Sequence, residues 1–231
     1  MSRIGVVTVT MVGSNICTNH IVAEALKNNV SGKHPEIVSI ALSFDRYKSA
    51  IVAKNWNKVA DLILETINLL QLAGCDFIII PSNTPHYAFE KVHLKSSLPV
   101  FNLLEITAEE CAKKGFKQVV IMGTKATMED GLYTKALTLK NIKLVIPDVT
   151  TRELMDTLIM DYIIPSRPNH LLQNKIKSAI LDLNCDAAIL GCTELSEVYN
   201  SKTLEMPIID TTRLLATTAL KYSIKLDNSR I

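Results

Sequence analysis

NCDAAILGCTEL, residues 184–195, is the stretch on which the fold turns. Ala187 to Leu190 is an apolar run of strand length, Gly191 interrupts it, and Thr193-Glu194-Leu195-Ser196-Glu197 supplies the hydroxyl and acids that open a helix. Cys192 is thereby delivered to the corner between strand and helix. Unpaired backbone N–H groups and the positive end of a helix dipole at such a corner favour thiolate. An earlier stretch, GCDFIIIPSNTPH over residues 74–86, is built alike. Cys75-Asp76 answers Cys185-Asp186, the apolar run 77–80 answers 187–190, and Ser82 falls where Cys192 falls. Two copies of one strand-end device imply two matched lobes facing a shared cleft.

The composition sets the class. A chain of 231 residues, 48% apolar and 21% charged, buries a substantial core as one large domain or two small α/β lobes. The formal charge of +2 is spread without a basic cluster, and aromatic and basic residues do not interleave, so no nucleic-acid partner is expected. Cys17, Cys75, Cys111, Cys185 and Cys192 form no CxxC pair and leave an odd count. That pattern fits a reduced cytoplasmic protein better than a disulfide framework. The run 4–12 is too short to span a bilayer and lacks a small-residue cleavage site, which makes it a strand, with no membrane association expected.

In chain order, residues 3–9 form a β-branched strand, succeeded by a turn at Gly13-Ser14-Asn15 and a helix over 18–27. A second strand covers 36–42, and Ser43-Phe44-Asp45-Arg46 opens a loop beyond its carboxyl end. Loops at that edge of an α/β sheet line the ligand crevice, which marks Arg46 as a candidate. A long amphipathic helix over 57–72 ends at Gly74. The run 98–102 closes the first lobe, and a helix over 108–114 leads into the second. There the plan repeats, with strands 118–122 and 143–146 and helices over 127–137, 152–163 and 171–183. Residues 206–210 mirror 98–102, a last helix runs to about 222, and 226–231 fray. Strands alternating with helices predict parallel sheets with right-handed crossovers. The lobes are bounded at 1–102, with the helix 211–231 packing back on it, and 103–210.

Ser82-Asn83-Thr84-x-His86, Gly123-Thr124-x-x-Thr127-Met128 and Gly191-Cys192-Thr193-Glu194-Leu195, at these separations, resemble the cofactor-independent aspartate/glutamate racemase family over residues 37–217. The resemblance implies two similar α/β lobes related by pseudo-twofold symmetry, each a parallel sheet flanked by helices, with the active site in the cleft between them. It further implies racemisation of a small amino acid, aspartate or glutamate, without pyridoxal phosphate or metal, in a homodimer. One cysteine from each lobe would stand on either side of the substrate α-carbon. Asn83, Thr84, Thr124 and Thr193 match family positions around the bound amino acid, each with an N–H or O–H donor for the carboxylate.

Inverting a stereocentre by proton transfer needs a base on one face and an acid on the other. Here Cys192 has its thiol, but Ser82 stands in the opposing cysteine position. An alcohol ionises near pH ~16 and a thiol near ~8.5, so an ionised Ser82 costs about ten kcal/mol more. Ser82 is therefore no ordinary base at pH 7, and a slow or one-sided racemase is expected. A second departure lies in the helix ending near 164, where Tyr162 and Ile164 replace the polar groups that the family carries. Arg46 remains as partner for a distal carboxylate, held bidentately, with Arg167 as a second cation. Two rivals are kept. A single-thiol decarboxylase of arylmalonate type accommodates Ser82, and a catalytically silent amino-acid-binding protein would keep the cleft without turnover. The remaining cysteines read as small core residues, and His86 as a supporting group without metal-ligand spacing.

Overall fold

The computed structural model of the chain describes residues 2–28 and 34–229. It separates into two compact units, Met1–Leu103 with Thr212–Ile231, and Leu104–Thr211. Both units are α/β, with wholly parallel sheets.

The first unit runs β1 (Arg3–Thr8), α1 (Met11–Asn28), β2 (Glu36–Ala41), α2 (Phe44–Val52), α3 (Trp56–Leu72), β3 (Phe77–Ile79), a 3-10 turn (Thr84–Ala88) and α4 (Phe89–Lys95). Its sheet has the order β2-β1-β3, and Val100 adds a parallel bridge to Ile78. Ile4, Val6 and Val7 of β1 and the whole of β3 are buried, as strands covered on both faces must be. Asn55 caps α3 by accepting the Lys58 N–H at 3.0 Å. Val59, Leu62, Ile63, Ile67 and Leu70 then form its buried stripe.

The second unit runs α5 (Leu103–Lys113), β4 (Gln118–Met122), α6 (Lys125–Glu129), α7 (Thr134–Thr138), β5 (Lys143–Val145) and α8 (Val149–Thr157). A π-helical turn (Leu158–Ile163), α9 (His170–Leu181), β6 (Ala187–Leu190), a 3-10 turn (Thr193–Glu197) and β7 (Ile208–Asp210) complete it. Its sheet order is β5-β4-β6-β7. The last helix, α10 (Thr211–Asn228), belongs almost wholly to the first unit. There Tyr222 packs edge-on against Phe77 and Phe101, and Ser2 meets the Ser223 hydroxyl at 2.5 Å.

The sequence repeat has a structural counterpart in each unit. The Asp76 N–H donates to the Arg3 carbonyl at 2.9 Å while its carboxylate accepts the Arg3 N–H at 2.7 Å. The Asp186 N–H donates to the Gln118 carbonyl at 2.8 Å while its carboxylate accepts the Gln118 N–H at 2.9 Å. At the next strand, Ile78 donates to the Pro99 carbonyl at 2.8 Å, and Ala188 to that of Pro207 at 2.9 Å. The run 98–102 thus repeats 206–210 in hydrogen bonding as well as in sequence.

Several elements differ from expectation. α1 begins at Met11, because Gly13 and Ser14 fall in its first turn and do not interrupt it. Ser43 to Arg46 forms no open loop: Ser43 is the N-cap of α2, which contains Arg46. The helix expected over 127–137 is divided into α6 and α7 where Gly131 adopts φ +67°. α8 passes at Leu158 into the π-helical turn. α10 continues to Asn228 in place of fraying from 226; Arg230 and Ile231 lie outside the described residues. Among the described residues no helix is long and apolar enough to cross a membrane.

Gly191, at the end of β6, has a packing role. A Cβ there would lie 2.8 Å from Ile121 Cδ1, 3.1 Å from Thr127 Cγ2 and 3.2 Å from the Met122 carbonyl oxygen. Gly191→Ala is therefore expected to lower unfolding free energy by about 1–3 kcal/mol, read as a lower urea midpoint at unchanged m.

Candidate active site

Parallel strands deliver all their carboxyl ends to one edge of a sheet, and in each unit the chemistry-bearing residues gather there. In the first unit, β3 leads through Ile80 and Pro81 into Ser82. The Ser82 N–H donates to the Ile80 carbonyl at 2.8 Å, a three-residue turn whose central torsion suits proline. Asn83 is buried, and Ser82 and Thr84 are partly exposed. The structure thus brings Ser82, Asn83 and Thr84 together on one turn. At the neighbouring end of β1, Ser14 in the first turn of α1 is 1% exposed, and its hydroxyl has no hydrogen-bond partner among the described residues.

His86 holds this turn. Its Nδ1–H donates to the Ser82 carbonyl at 2.8 Å, and its Nε2 accepts the Leu103 N–H at 3.2 Å. One nitrogen must donate and the other accept, so the ring is neutral with its proton on Nδ1. Burial is the main force keeping it neutral, lowering its pKa to about 4 against the opposing pull of the Ser82, Asn83 and Phe101 backbone. The ring also stacks on Phe89 at 5.7 Å.

In the second unit, β4 ends at Gly123 and Thr124, beside the end of β6 at Gly191 and Cys192, because Met122 pairs with Leu190. The Thr124 hydroxyl lies 3.1 Å from that of Thr127, and the Thr124 carbonyl accepts the N–H groups of Thr127 and Met128. Thr124, Cys192 and Thr193 are thereby grouped at one sheet edge.

The thiol's surroundings differ from those expected. Cys192 leads into a five-residue 3-10 turn, too short to develop the dipole of a full helix. A carboxylate in that turn does more. The Cys192 S–H donates to Glu194 Oε2 at 3.0 Å, and the Thr193 hydroxyl donates to the same oxygen at 2.6 Å. Protein packed around the sulfur and the Glu194 charge push the thiol well above its ordinary value. The Glu194 backbone N–H pulls the other way, and Asp156 adds to the rise. The resting group is a thiol hydrogen-bonded to a carboxylate, not a thiolate. Sequence reasoning assigns Glu194 to helix initiation, and nothing in the sequence marks its turn back onto sulfur.

Arg46 is paired within its own unit. Its guanidinium binds Glu65 of α3 bidentately, Nη1 to Oε1 at 3.0 Å and Nη2 to Oε2 at 2.6 Å, on an exposed helix surface. The fork expected to hold a ligand carboxylate is filled by one from the protein.

In each of the two α/β units, hydroxyl, amide or thiol groups gather at the strand ends, where open α/β sheets hold small-molecule ligands. A family model described as Asp/Glu/hydantoin racemase matches residues 4–219, and the chain belongs to that family. The broad-specificity amino-acid racemase RacX of Bacillus subtilis is 30% identical over 151 residues, 64% of this chain and 64% of that protein. The match thus spans less than two thirds of that relative's length. Among solved structures, an aspartate racemase homologue from Pyrococcus horikoshii superposes with a TM-score of 0.85 at 21% identity, covering 96% of this chain and 99% of the other. The aspartate racemase of Picrophilus torridus gives 0.78 at 23% identity, over 96% and 94%.

The His86 pKa carries a pH signature. Between about 6.5 and about 4 the unfolded chain binds a proton at this ring and the native protein does not, so native stability falls as pH drops through that window. The contribution is about 3 kcal/mol, complete near pH 4. Urea unfolding at pH 7.5 and 4.5 should show this loss in the wild type, and His86→Gln should remove that share of the pH dependence.

Proposed function

We propose that the chain is a cofactor-independent amino-acid racemase in which Cys192 exchanges the substrate α-proton on one face, with Ser82 at the opposing position. No pyridoxal phosphate or metal takes part. The observation that carries this is the 3.0 Å contact between the Cys192 thiol and Glu194. Glu194 accepts the thiol proton, leaving a thiolate. The substrate Cα–H bond then breaks, S–H forms, and the electron pair moves onto the α-carbon and its carboxylate. Thr193, Thr124, Asn83 and Thr84, with the unpartnered Ser14 hydroxyl, are the donors that hold this charge. Return of the proton from sulfur restores the starting enantiomer. Inversion requires a proton from the other face, supplied by Ser82 or a water that it holds.

An alcohol in that position makes the two faces unequal. Abstraction by Cys192 is served by Glu194, whereas Ser82 can donate but cannot serve as an ordinary base. The enzyme therefore exchanges one enantiomer faster than it inverts it. The same serine favours a second reading, a single-thiol decarboxylase or isomerase, in which Cys192 only protonates an enediolate. A silent binding protein is the third.

Purified protein incubated with L- and D-amino acids in deuterated buffer separates these readings by following α-hydrogen exchange and chirality together. The racemase exchanges deuterium at Cα and slowly inverts, the decarboxylase leaves amino acids untouched, and the silent protein binds without either signal. Cys192→Ala should abolish exchange, and Ser82→Cys should raise inversion at least about tenfold. Glu194→Gln should slow exchange about 100-fold, the lower end for loss of a positioned base. Because that variant also removes a negative charge beside the sulfur, its residual rate should rise with pH at a lower pH than in the wild type.

A further inference from the structure

Two of the donors assigned to the substrate carboxylate, Asn83 and Thr84, sit on a turn whose peptide groups are aimed by a single side chain. We infer that His86 is a positioning residue for the reaction, holding the Ser82–Asn83 and Asn83–Thr84 peptides so that their N–H groups are turned away from its ring and toward the ligand. The inference rests on the racemase reading and adds to it a residue that acts through others.

His86 takes two successive carbonyls. Its ring Nδ1–H donates to the Ser82 carbonyl at 2.8 Å, and its backbone N–H donates to the Asn83 carbonyl at 3.0 Å. The peptide bonds here are trans, and in a trans peptide the N–H points opposite to the C=O. The Asn83 and Thr84 amides are therefore directed to the side of the turn away from His86. A third bond, from the Ser82 N–H to the Ile80 carbonyl at 2.8 Å, fixes the entry to the turn. Of these three, only the bond from the ring depends on which side chain stands at position 86. The Ser82–Asn83 peptide is thus the one whose orientation a substitution there would release.

The ring is itself fixed in direction. His86 is 4% exposed, its ring lies 8° from parallel to Phe89 at 5.7 Å, and Phe89 stacks in turn on His93 at 5.7 Å. On the opposite edge of the imidazole, Nε2 accepts the N–H of Leu103, the first residue of α5. A backbone amide can only donate, so it holds Nε2 bare and leaves the proton on Nδ1, facing Ser82. The Leu103 bond chooses the tautomer, and the tautomer orients the peptide. With the proton on Nε2 instead, the Ser82 carbonyl would face a lone pair.

Asparagine and glutamine divide the two functions of the ring. An Asn side-chain amide stands near the place of Nδ1 and still donates to the Ser82 carbonyl, whereas a Gln amide reaches the place of Nε2 and still accepts from Leu103. Donors aimed at developing charge are worth more in the transition state than in the ground state, so their misalignment falls on kcat more than on KM. The test is deuterium exchange at Cα with L- and D-alanine, lysine, aspartate and glutamate, the variants being compared on whichever of these the wild type exchanges fastest. His86→Gln should lower kcat at least about tenfold with KM changed by less than about threefold, and His86→Asn should restore kcat to within about threefold of the wild type. Both should lower the urea midpoint. Val92→Ala, a truncation in the buried face of α4 that touches no hydrogen bond of the turn, should lower the midpoint without the loss in kcat. Equal losses of kcat in the Asn and Gln variants, or losses in all three that follow their urea midpoints, would overturn the inference and leave the racemase reading standing. No exchange by the wild type with any of these amino acids would defeat both.

Discussion

Each sheet is held in register by one aspartate. Asp76 and Asp186 each stand just before a buried strand, give their own amide to the first carbonyl of the central strand, and take back that strand's first N–H on their carboxylate. The Lys117 N–H adds to Asp186 at 2.6 Å, and these backbone donors hold its carboxyl below the usual carboxylate range. A parallel pair displaced by one residue would turn every side chain to the opposite face of the sheet. The reciprocal pair forbids that displacement at one end of the strand, and so fixes what emerges at the other. Ser82 and Cys192 reach their corners because strands of fixed length start from a pinned residue.

At the Cys192 corner, local charge outweighs backbone dipoles. A five-residue 3-10 turn offers few aligned peptide units, whereas Glu194 brings a full negative charge to within 3.0 Å of the sulfur. The carboxylate destabilises thiolate in the resting state. In the first unit a neutral histidine does the corresponding work of fixing the corner, through hydrogen bonds rather than charge.

Alternation of strand and helix, the parallel sheets and the internal repeat are all legible in the sequence, because β-branched runs such as 3–8 and 77–80 leave no other home than a covered strand. The glycine-cysteine and proline-serine corners are legible for the same reason. The features that escape are set by partners remote in sequence. Nothing in the segment 43–46 announces that Glu65 will close on Arg46, and nothing near Cys192 distinguishes an acid that starts a helix from one that turns back onto sulfur. The start of α1 is hidden because Gly13 and Ser14, typical of turns, are tolerated in a first helical turn. The neutral state of His86 likewise depends on the Leu103 amide, seventeen residues on.

The π-helical segment sets the phase of the side chains that follow it. Hydrogen bonds there reach back five residues, from Ile164 to Ile159 at 3.0 Å, so the backbone carries one residue more than an α-helix of the same rise. Every side chain beyond the bulge is out of phase by about 100° with its α-helical counterpart. Position-by-position comparison with an uninterrupted α-helix would equate residues that point in different directions. A single-codon deletion would restore the phase and present a new set of side chains without altering any strand. Cys192 and Ser82, which stand at strand ends, would keep their places through such a change.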